Sequence, residues 1–224
     1  MKTARKRQIA LTAGMGLLAL LVLPFTLDAV TKGLTLWSPG TVTQSRFFTP
    51  GGALSNPAIF GHMVLGGVLS FLILLQPLPV LRRHLPAVHG WMGRGLVLAA
   101  FLTALGGLFF IALRGTIGGL PMDVGFTLYG LLMEISAVQT IRMARAGRIA
   151  EHRDWALRLL VLALGSWLYR VHYGIWYAIT GGIASTPTFD GTFDLVQNGA
   201  FYLPYLLVLE LVLRRRRARS IGHA

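Results

Sequence analysis

Two short motifs place a histidine, a tryptophan and an arginine at the start of long apolar segments. The first is His89-Gly-Trp-Met-Gly-Arg94 and the second is His152-Arg-Asp-Trp-Ala-Leu-Arg158. In both motifs the arginine follows the tryptophan by three residues, which puts Arg94 and Arg158 where the hydrocarbon region is expected to begin. A charge at that depth is costly unless it has a partner, so such residues mark candidate functional sites.

Four histidines could bind a haem iron. We expect His62 and His172 in the outer half of two different spans, and His89 and His152 at the inner boundary. Haem iron is held by axial side chains such as imidazoles, and bis-histidine sites draw them from facing helices. The distribution predicts haem b bound by two pairs, His62 with His172 and His89 with His152, in an electron-transfer protein that exchanges electrons with a quinone or a redox partner.

Other features of the sequence fit this haem hypothesis, but each also has a structural interpretation. Arg94 and Arg158 could hold haem propionates, and Gly66 and Gly165, on the same helix faces as the outer histidines, could let a flat macrocycle approach. Alternatively, the inner histidines are interfacial anchors. His62 could donate a hydrogen bond to a backbone carbonyl of a neighbouring helix, which is common in membrane bundles. His172 could belong to an aromatic belt at the interface.

A second hypothesis is a small-molecule or proton-coupled transporter, with its path lined by Glu134, Arg158 and Arg170. Glu134 is the deepest acid and is close in predicted depth to Arg158. It therefore fits either a structural ion pair or a proton-relay carboxylate. A third hypothesis is a non-catalytic assembly or scaffold protein. The sequence contains neither a His-Glu-x-x-His zinc motif nor a phosphate-binding loop, which argues against hydrolysis.

The composition excludes an ordinary soluble domain. Of the 224 residues, 54% are hydrophobic and 13% are charged, whereas soluble proteins average about 25% charged residues. The net charge of +13 lies in short clusters between apolar segments. That distribution is typical of a protein in the lipid bilayer and argues against nucleic-acid binding. With no cysteine, disulfides and iron–sulfur clusters are excluded.

Six apolar segments are long enough to cross a bilayer, which takes roughly 20 residues. They are Ile9–Val30, Pro57–Leu81, Gly93–Leu113, Met122–Ile141, Trp155–Gly181 and Phe193–Leu213. We therefore predict an all-α, polytopic, single integral membrane domain over residues 1–224. The second to fifth helices resemble two copies of one hairpin, with Trp91 and Trp155 in equivalent positions. They predict a central four-helix bundle over 57–181, flanked by the helices at 9–30 and 193–213.

The distribution of basic residues predicts the orientation. Sixteen of the 21 lysines and arginines fall on one side of the predicted spans and three on the other. By the positive-inside rule both termini are cytoplasmic, as in a bacterial inner-membrane protein. The basic tail at 214–219 is expected to anchor this topology, and the outer loop at 31–55 to form either an interfacial lid or a tether.

From His62 to about Tyr173 the chain resembles a family of predicted bacterial membrane proteins of unknown function, the DUF2306 group. The resemblance rests on His62-Met-Val-Leu-Gly66, on the two motifs described above and on the arginine that follows at 170. It implies a polytopic inner-membrane protein and no particular activity. The residues that it marks as part of the family pattern are His62, His89, Arg94, His152, Trp155, Arg158 and Arg170.

Overall fold

A computed structural model describes residues 2–221, and all regular structure in that range is helical. In chain order the helices are α1 (Lys2–Leu34), α2 (Pro39–Val42), α3 (Ser55–Leu72), α4 (Pro79–His84), α5 (Pro86–Arg114), α6 (Gly119–Arg145), α7 (Ile149–Ala163), α8 (Gly165–Thr180), α9 (Thr192–Ala200) and α10 (Leu203–Ile221). Short 3-10 turns lie at Thr35–Trp37 and Ile73–Leu75. The all-α prediction is therefore confirmed.

Five segments of the described chain are long and apolar enough to cross a membrane. They are Gln8–Trp37, Ser55–Leu75, Pro86–Arg114, Gly119–Arg145 and Thr192–Arg219. Large apolar side chains cover their outer surfaces, as with Leu20, which is 68% exposed. Such a surface is suited to lipid and not to water.

The predicted fifth span, Trp155–Gly181, is divided in the structure, so six spans are not confirmed. Its residues belong to α7 and α8, which have 15 and 16 residues and meet at Leu164. The Tyr129 hydroxyl donates a hydrogen bond to the carbonyl of Leu162 at 2.5 Å. A side chain that binds a carbonyl of the helical ladder is a known cause of helix kinks. The break therefore comes from a contact with α6 and not from a proline.

Two other predicted boundaries also move. The second span ends at Leu75 and not at Leu81, because a new short helix, α4, begins at Pro79. The third helix begins at Pro86 and not at Gly93. Proline is favoured in the first turn of a helix, where its missing N–H would have no partner anyway. As a result His89 lies inside the first turns of α5.

The chain forms two compact units, Met1–Leu113 and Arg114–Ala224, and the boundary falls between the two predicted hairpins. In the first unit α1 and α3 pack closely at Gly67, whose carbonyl accepts a hydrogen bond from Thr26 at 3.1 Å. A Cβ atom at Gly67 would lie 3.1 Å from Ala29. Small residues at such contacts are typical of membrane helices. The predicted four-helix bundle would combine helices of both units and stays a prediction.

The outer loop is folded onto the first unit. Phe47 and Phe48 pack against a buried cluster that includes Ile59 and Phe60 of α3. Asn56 pins the loop by accepting a hydrogen bond from the Thr49 N–H at 3.0 Å and donating one to its carbonyl at 2.8 Å. These contacts hold part of the loop at residues 31–55 against α3, and the choice between an interfacial lid and a tether stays a prediction.

In the second unit, close packing at Gly165 positions α8 against α6. A Cβ atom added at Gly165 would lie 2.8 Å from the Tyr129 ring, whereas one added at Gly174 in the same helix would meet nothing within 4 Å. We predict that Gly165→Ala lowers the stability of the detergent-purified protein by about 1–3 kcal/mol, the usual cost of overpacking. Thermal unfolding followed by tryptophan fluorescence measures this loss.

Gly174→Ala is the matched control, because it makes the same chemical change in the same helix without a clash. Its melting temperature should equal or exceed that of the wild type, since alanine is the better helix former. Equal melting temperatures for the two variants would contradict the role of the Tyr129 contact.

Candidate functional site

Arg158 is held in the second unit by an ion pair with Glu210. Its Nε lies 2.5 Å from Oε1 of Glu210, and the two side chains are 14% and 34% exposed. The guanidinium also lies over the ring of Trp155, 4.4 Å from its centroid. A charge shielded from solvent is stabilised when such partners surround it. An ion pair of Arg158 with Glu134, one of the two roles considered for that acid, is not found among the described residues, where Glu210 is the partner of Arg158.

A second ion pair joins the same two helices about one turn of α7 away. Nη2 of Arg217 lies 2.6 Å from the Asp154 carboxylate. Residue numbers increase along α7 from Asp154 to Arg158, whereas the numbers of their partners in α10 decrease, from Arg217 to Glu210. The two pairs therefore fix α7 and α10 side by side in antiparallel orientation.

The first motif repeats part of this geometry in the first unit. Arg94 lies over the ring of Trp91 at 4.8 Å, as Arg158 does over Trp155. Residues three apart are neighbours on a helix surface, which explains both contacts. Unlike Trp155, Trp91 is 72% exposed. The role of Arg94 in holding a propionate stays a prediction, whereas Arg158 already has a carboxylate partner.

His62 and His152 have their rings fixed in the same way. Nδ1 of His62 lies 2.7 Å from the carbonyl oxygen of Thr103, and Nδ1 of His152 lies 2.9 Å from that of Thr140. A carbonyl can only accept, so Nδ1 carries the proton in both rings. In the neutral tautomer the lone pair is then on Nε2. Metal-binding histidines are commonly oriented by such a bond from the other ring nitrogen.

Both ring nitrogens of His172 have hydrogen-bond partners. Nδ1 contacts the side-chain amide of Gln197 at 3.0–3.1 Å, and Nε2 contacts the Tyr205 hydroxyl at 2.7 Å. Binding of a metal at either nitrogen would require one of these contacts to break. His89 lies half-buried in α5. His62 and His89 belong to the first unit and the other two to the second, so the predicted pairings stay predictions.

The glycines expected to make room for a macrocycle instead contact protein. A Cβ atom at Gly66 would lie 3.2 Å from Cγ2 of Thr103, and one at Gly165 would meet the Tyr129 ring. Both glycines therefore allow close helix packing, and their role in the approach of a macrocycle stays a prediction. Among residues 2–221 there is no group of three or more histidine, cysteine or acidic side chains arranged to hold a metal ion.

Glu134 stands apart from the other acids of the protein. It is half-buried near the middle of α6, and its Oε1 is buried with no hydrogen-bond partner among the described residues. The remaining seven acids all contact a donor, and they are Asp28, Asp123, Glu151, Asp154, Asp190, Asp194 and Glu210. Arg170, the third predicted transport residue, is exposed and donates to the carbonyl of Ser166 in its own helix at 3.0 Å.

A polar network that was not predicted from the sequence surrounds Asp194. This residue is 0% exposed and accepts hydrogen bonds from the Tyr173 hydroxyl at 2.6 Å and from Ser185 at 2.8 Å. The backbone N–H groups of Thr186 and Gly191 also donate to it. A signal was present in the sequence, because three buried polar residues of α9 have helical spacing. They are Asp194, Gln197 and Asn198.

The Arg158–Glu210 pair generates a stability prediction. Arg158→Gln and Glu210→Gln should each lower the stability by about 2 kcal/mol, less than for a fully buried pair because Glu210 keeps some solvent contact. The double variant should lose less than the sum of the two, which thermal unfolding in detergent measures as a double-mutant cycle. Arg217→Gln, in the more exposed pair, is the control and should cost about 0.5 kcal/mol. Additive losses would show that the two side chains do not interact.

Comparison with known proteins agrees with the helical, apolar character of the chain. No curated protein and no solved structure matches it. A family model described as a predicted membrane protein, DUF2306, matches residues 59–213. This range contains both tryptophan–arginine motifs, His62, Glu134 and Glu210. The chain therefore belongs to the DUF2306 family of predicted membrane proteins.

Proposed function

We propose that this membrane protein is a proton-coupled transporter in which Glu134 binds and releases the proton. The observation that carries the proposal is the buried Oε1 of Glu134, which has no donor among the described residues, whereas the other seven acids of the chain each have one. Acidic residues inside membrane helices are rare and typically belong to ion or proton pathways.

An ion pair with Arg158 would have given Glu134 a structural role. Because Arg158 pairs with Glu210 instead, that explanation for Glu134 does not apply. Arg158 and Glu210 form a neutral pair with their charges 2.5 Å apart. Glu134 is thus left without this cation in an apolar helix. An ionised carboxylate at the centre of a membrane helix costs about 2.5–3.5 kcal/mol. A carboxyl group that takes up and loses a proton is chemically suited to this position.

A chain of hydroxyl groups elsewhere in the second unit supports the same function. The Tyr169 hydroxyl lies 3.3 Å from that of Tyr173, which donates to Asp194 at 2.6 Å. Asp194 in turn accepts from Ser185 in the loop between α8 and α9. Connected hydroxyl and carboxyl groups of this kind can pass protons along hydrogen bonds. The chain would serve as a relay that ends at this loop.

We further propose that the protein lies in a bacterial inner membrane with both termini in the cytoplasm. The excess of basic residues on one side of the predicted spans supports this orientation. Under this arrangement the turn between α6 and α7 faces the cytoplasm, and the loop between α8 and α9 faces the other side. The proposed proton would then enter or leave at the Asp194 end.

Proton uptake into liposomes containing the purified protein tests the role of Glu134. A potassium diffusion potential supplies the driving force and a trapped pH-sensitive dye reports the flux. We expect Glu134→Gln to lower the rate at least about tenfold, since an amide cannot exchange the proton. Glu134→Asp should keep part of it. Glu151→Gln is the control, because that carboxylate is exposed and paired with Arg148.

A second readout keeps this test decisive when transport needs a solute that is not supplied. Infrared difference spectra between two pH values should show a titrating carboxyl band in the wild type that is absent in Glu134→Gln. Wild-type liposomes with no uptake above empty ones, together with no such band, would refute the proposal. The same result with a stable copurifying protein would favour the scaffold hypothesis.

Haem b binding for electron transfer is the second candidate, and the fixed rings of His62 and His152 favour it. Each ring holds Nδ1 against a backbone carbonyl, which orients Nε2 as a ligand atom for iron. A quinone or a redox partner would be the electron donor or acceptor. His172, with both nitrogens engaged, is the weaker of the proposed ligands.

A reduced-minus-oxidised absorption spectrum tests this candidate on protein expressed with a haem precursor. We expect low-spin b-type bands that His62→Ala and His152→Ala each diminish by half or more, because an iron that loses an axial imidazole no longer gives the low-spin bands. His84→Ala is the control, since His84 is an exposed residue at the end of α4. A spectrum without bands, or one unchanged in both variants, would contradict haem ligation by these residues.

A further inference from the structure

One end of the second unit carries an arginine patch. It consists of the end of α6, the start of α7 and the end of α10, and its members are Arg142, Arg145, Arg148, Arg153, Arg214, Arg215, Arg216, Arg217 and Arg219. The turn after α6 brings two of these segments together, with the Arg148 N–H bound to the carbonyl of Met143 at 3.0 Å. The Asp154–Arg217 ion pair holds the end of α10 at the same place.

The charge of this patch is far from balanced. Its two acids, Glu151 and Asp154, are each bound to one arginine of the patch, Arg148 and Arg217. The other seven arginines are exposed and have no ion-pair partner within the described part of the chain. An exposed excess of positive charge at the end of spanning helices attracts anionic groups at the membrane surface.

The surface of α10 next to the patch is apolar and exposed. Its apolar residues lie on the same faces of the helix as two of the arginines. Leu207, Leu211 and Arg215 follow one another at intervals of four residues, and so do Val208, Val212 and Arg216. Residues four apart lie one above the other on a helix. The four apolar side chains are 39–62% exposed. Each row therefore runs from an open apolar surface to a guanidinium group, over a length of about 12 Å.

We infer that these two rows bind an anionic phospholipid, with an acyl chain along the apolar side chains and the phosphate at Arg215 and Arg216. The guanidinium fork matches phosphate oxygens in a two-point hydrogen bond. The apolar part of the rows argues for a lipid over free phosphate, since a free anion gains nothing from contact with apolar side chains. This inference is independent of the proposed transport function, because none of these residues belongs to the Glu134 site.

Binding of phosphatidylglycerol and phosphatidylcholine with identical acyl chains tests the inference. Lipid is titrated into the full chain in detergent, and bound lipid is counted by native mass spectrometry. We expect the wild type to prefer phosphatidylglycerol, and Arg215→Gln/Arg216→Gln to lose about fivefold in that preference for each arginine removed. Both side chains are exposed, so an unchanged melting temperature without added lipid checks the fold.

Arg82→Gln/Arg83→Gln is the matched control, because it removes the same charge from an exposed pair in the first unit. It should leave the preference unchanged. Leu207→Ser/Leu211→Ser should weaken binding of the long-chain lipid while leaving both arginines in place. Inorganic phosphate and glycerol 3-phosphate at the lipid's concentration should not compete. Equal effects of the two double arginine variants would refute the site. Full competition by inorganic phosphate would show that the arginines bind an anion and that the apolar residues of the rows do not bind lipid.

Discussion

Polar groups in membrane-spanning helices must be satisfied by other parts of the same protein, because the lipid offers no hydrogen bonds. In the second unit this constraint is met by contacts between residues far apart in the chain. Arg158 reaches Glu210, and the hydroxyls of Tyr129 and Tyr202 donate to the carbonyls of Leu162 and Gly125. These contacts fix which helices are neighbours, and they determine which acid keeps a free oxygen.

The tyrosine contacts depend on glycine in the partner helix. A Cβ atom at Gly165 would lie 2.8 Å from the Tyr129 ring, and one at Gly125 would lie 2.7 Å from the carbonyl oxygen of Asn198. Since lipid is as apolar as leucine, helices in a membrane gain little from apolar contact alone and associate through close packing and hydrogen bonds. The glycines thus allow the approach, and the hydroxyls supply the bond that the approach makes possible. Both are needed to place α8 and α9 against α6.

Features set by local sequence could be predicted, and those set by distant contacts could not. Apolar runs predicted five of the spanning segments. The contacts of Trp91 with Arg94 and of Trp155 with Arg158 were not predicted, although they follow from the three-residue spacing in each motif. The partner of Arg158 is 52 residues away, and a depth estimate from the nearest helix end ranked Glu134 ahead of Glu210. The break between α7 and α8 at Leu164 could not be predicted either, because its cause is the contact with Tyr129 in another helix. The buried polar residues of α9, by contrast, have a helical spacing that is visible in the sequence. They were overlooked because the segment around them is apolar.

Stability alone does not favour a glutamate at position 134. Removing a buried carboxyl group that has no donor is often neutral or stabilising, because the cost of burying it disappears with it. Glu210 and Asp194 are different, since each one accepts bonds that hold helices or a loop in place. Packing would be served at least as well by an apolar side chain at position 134. A glutamate there is therefore better explained by what its carboxyl group does than by what it stabilises.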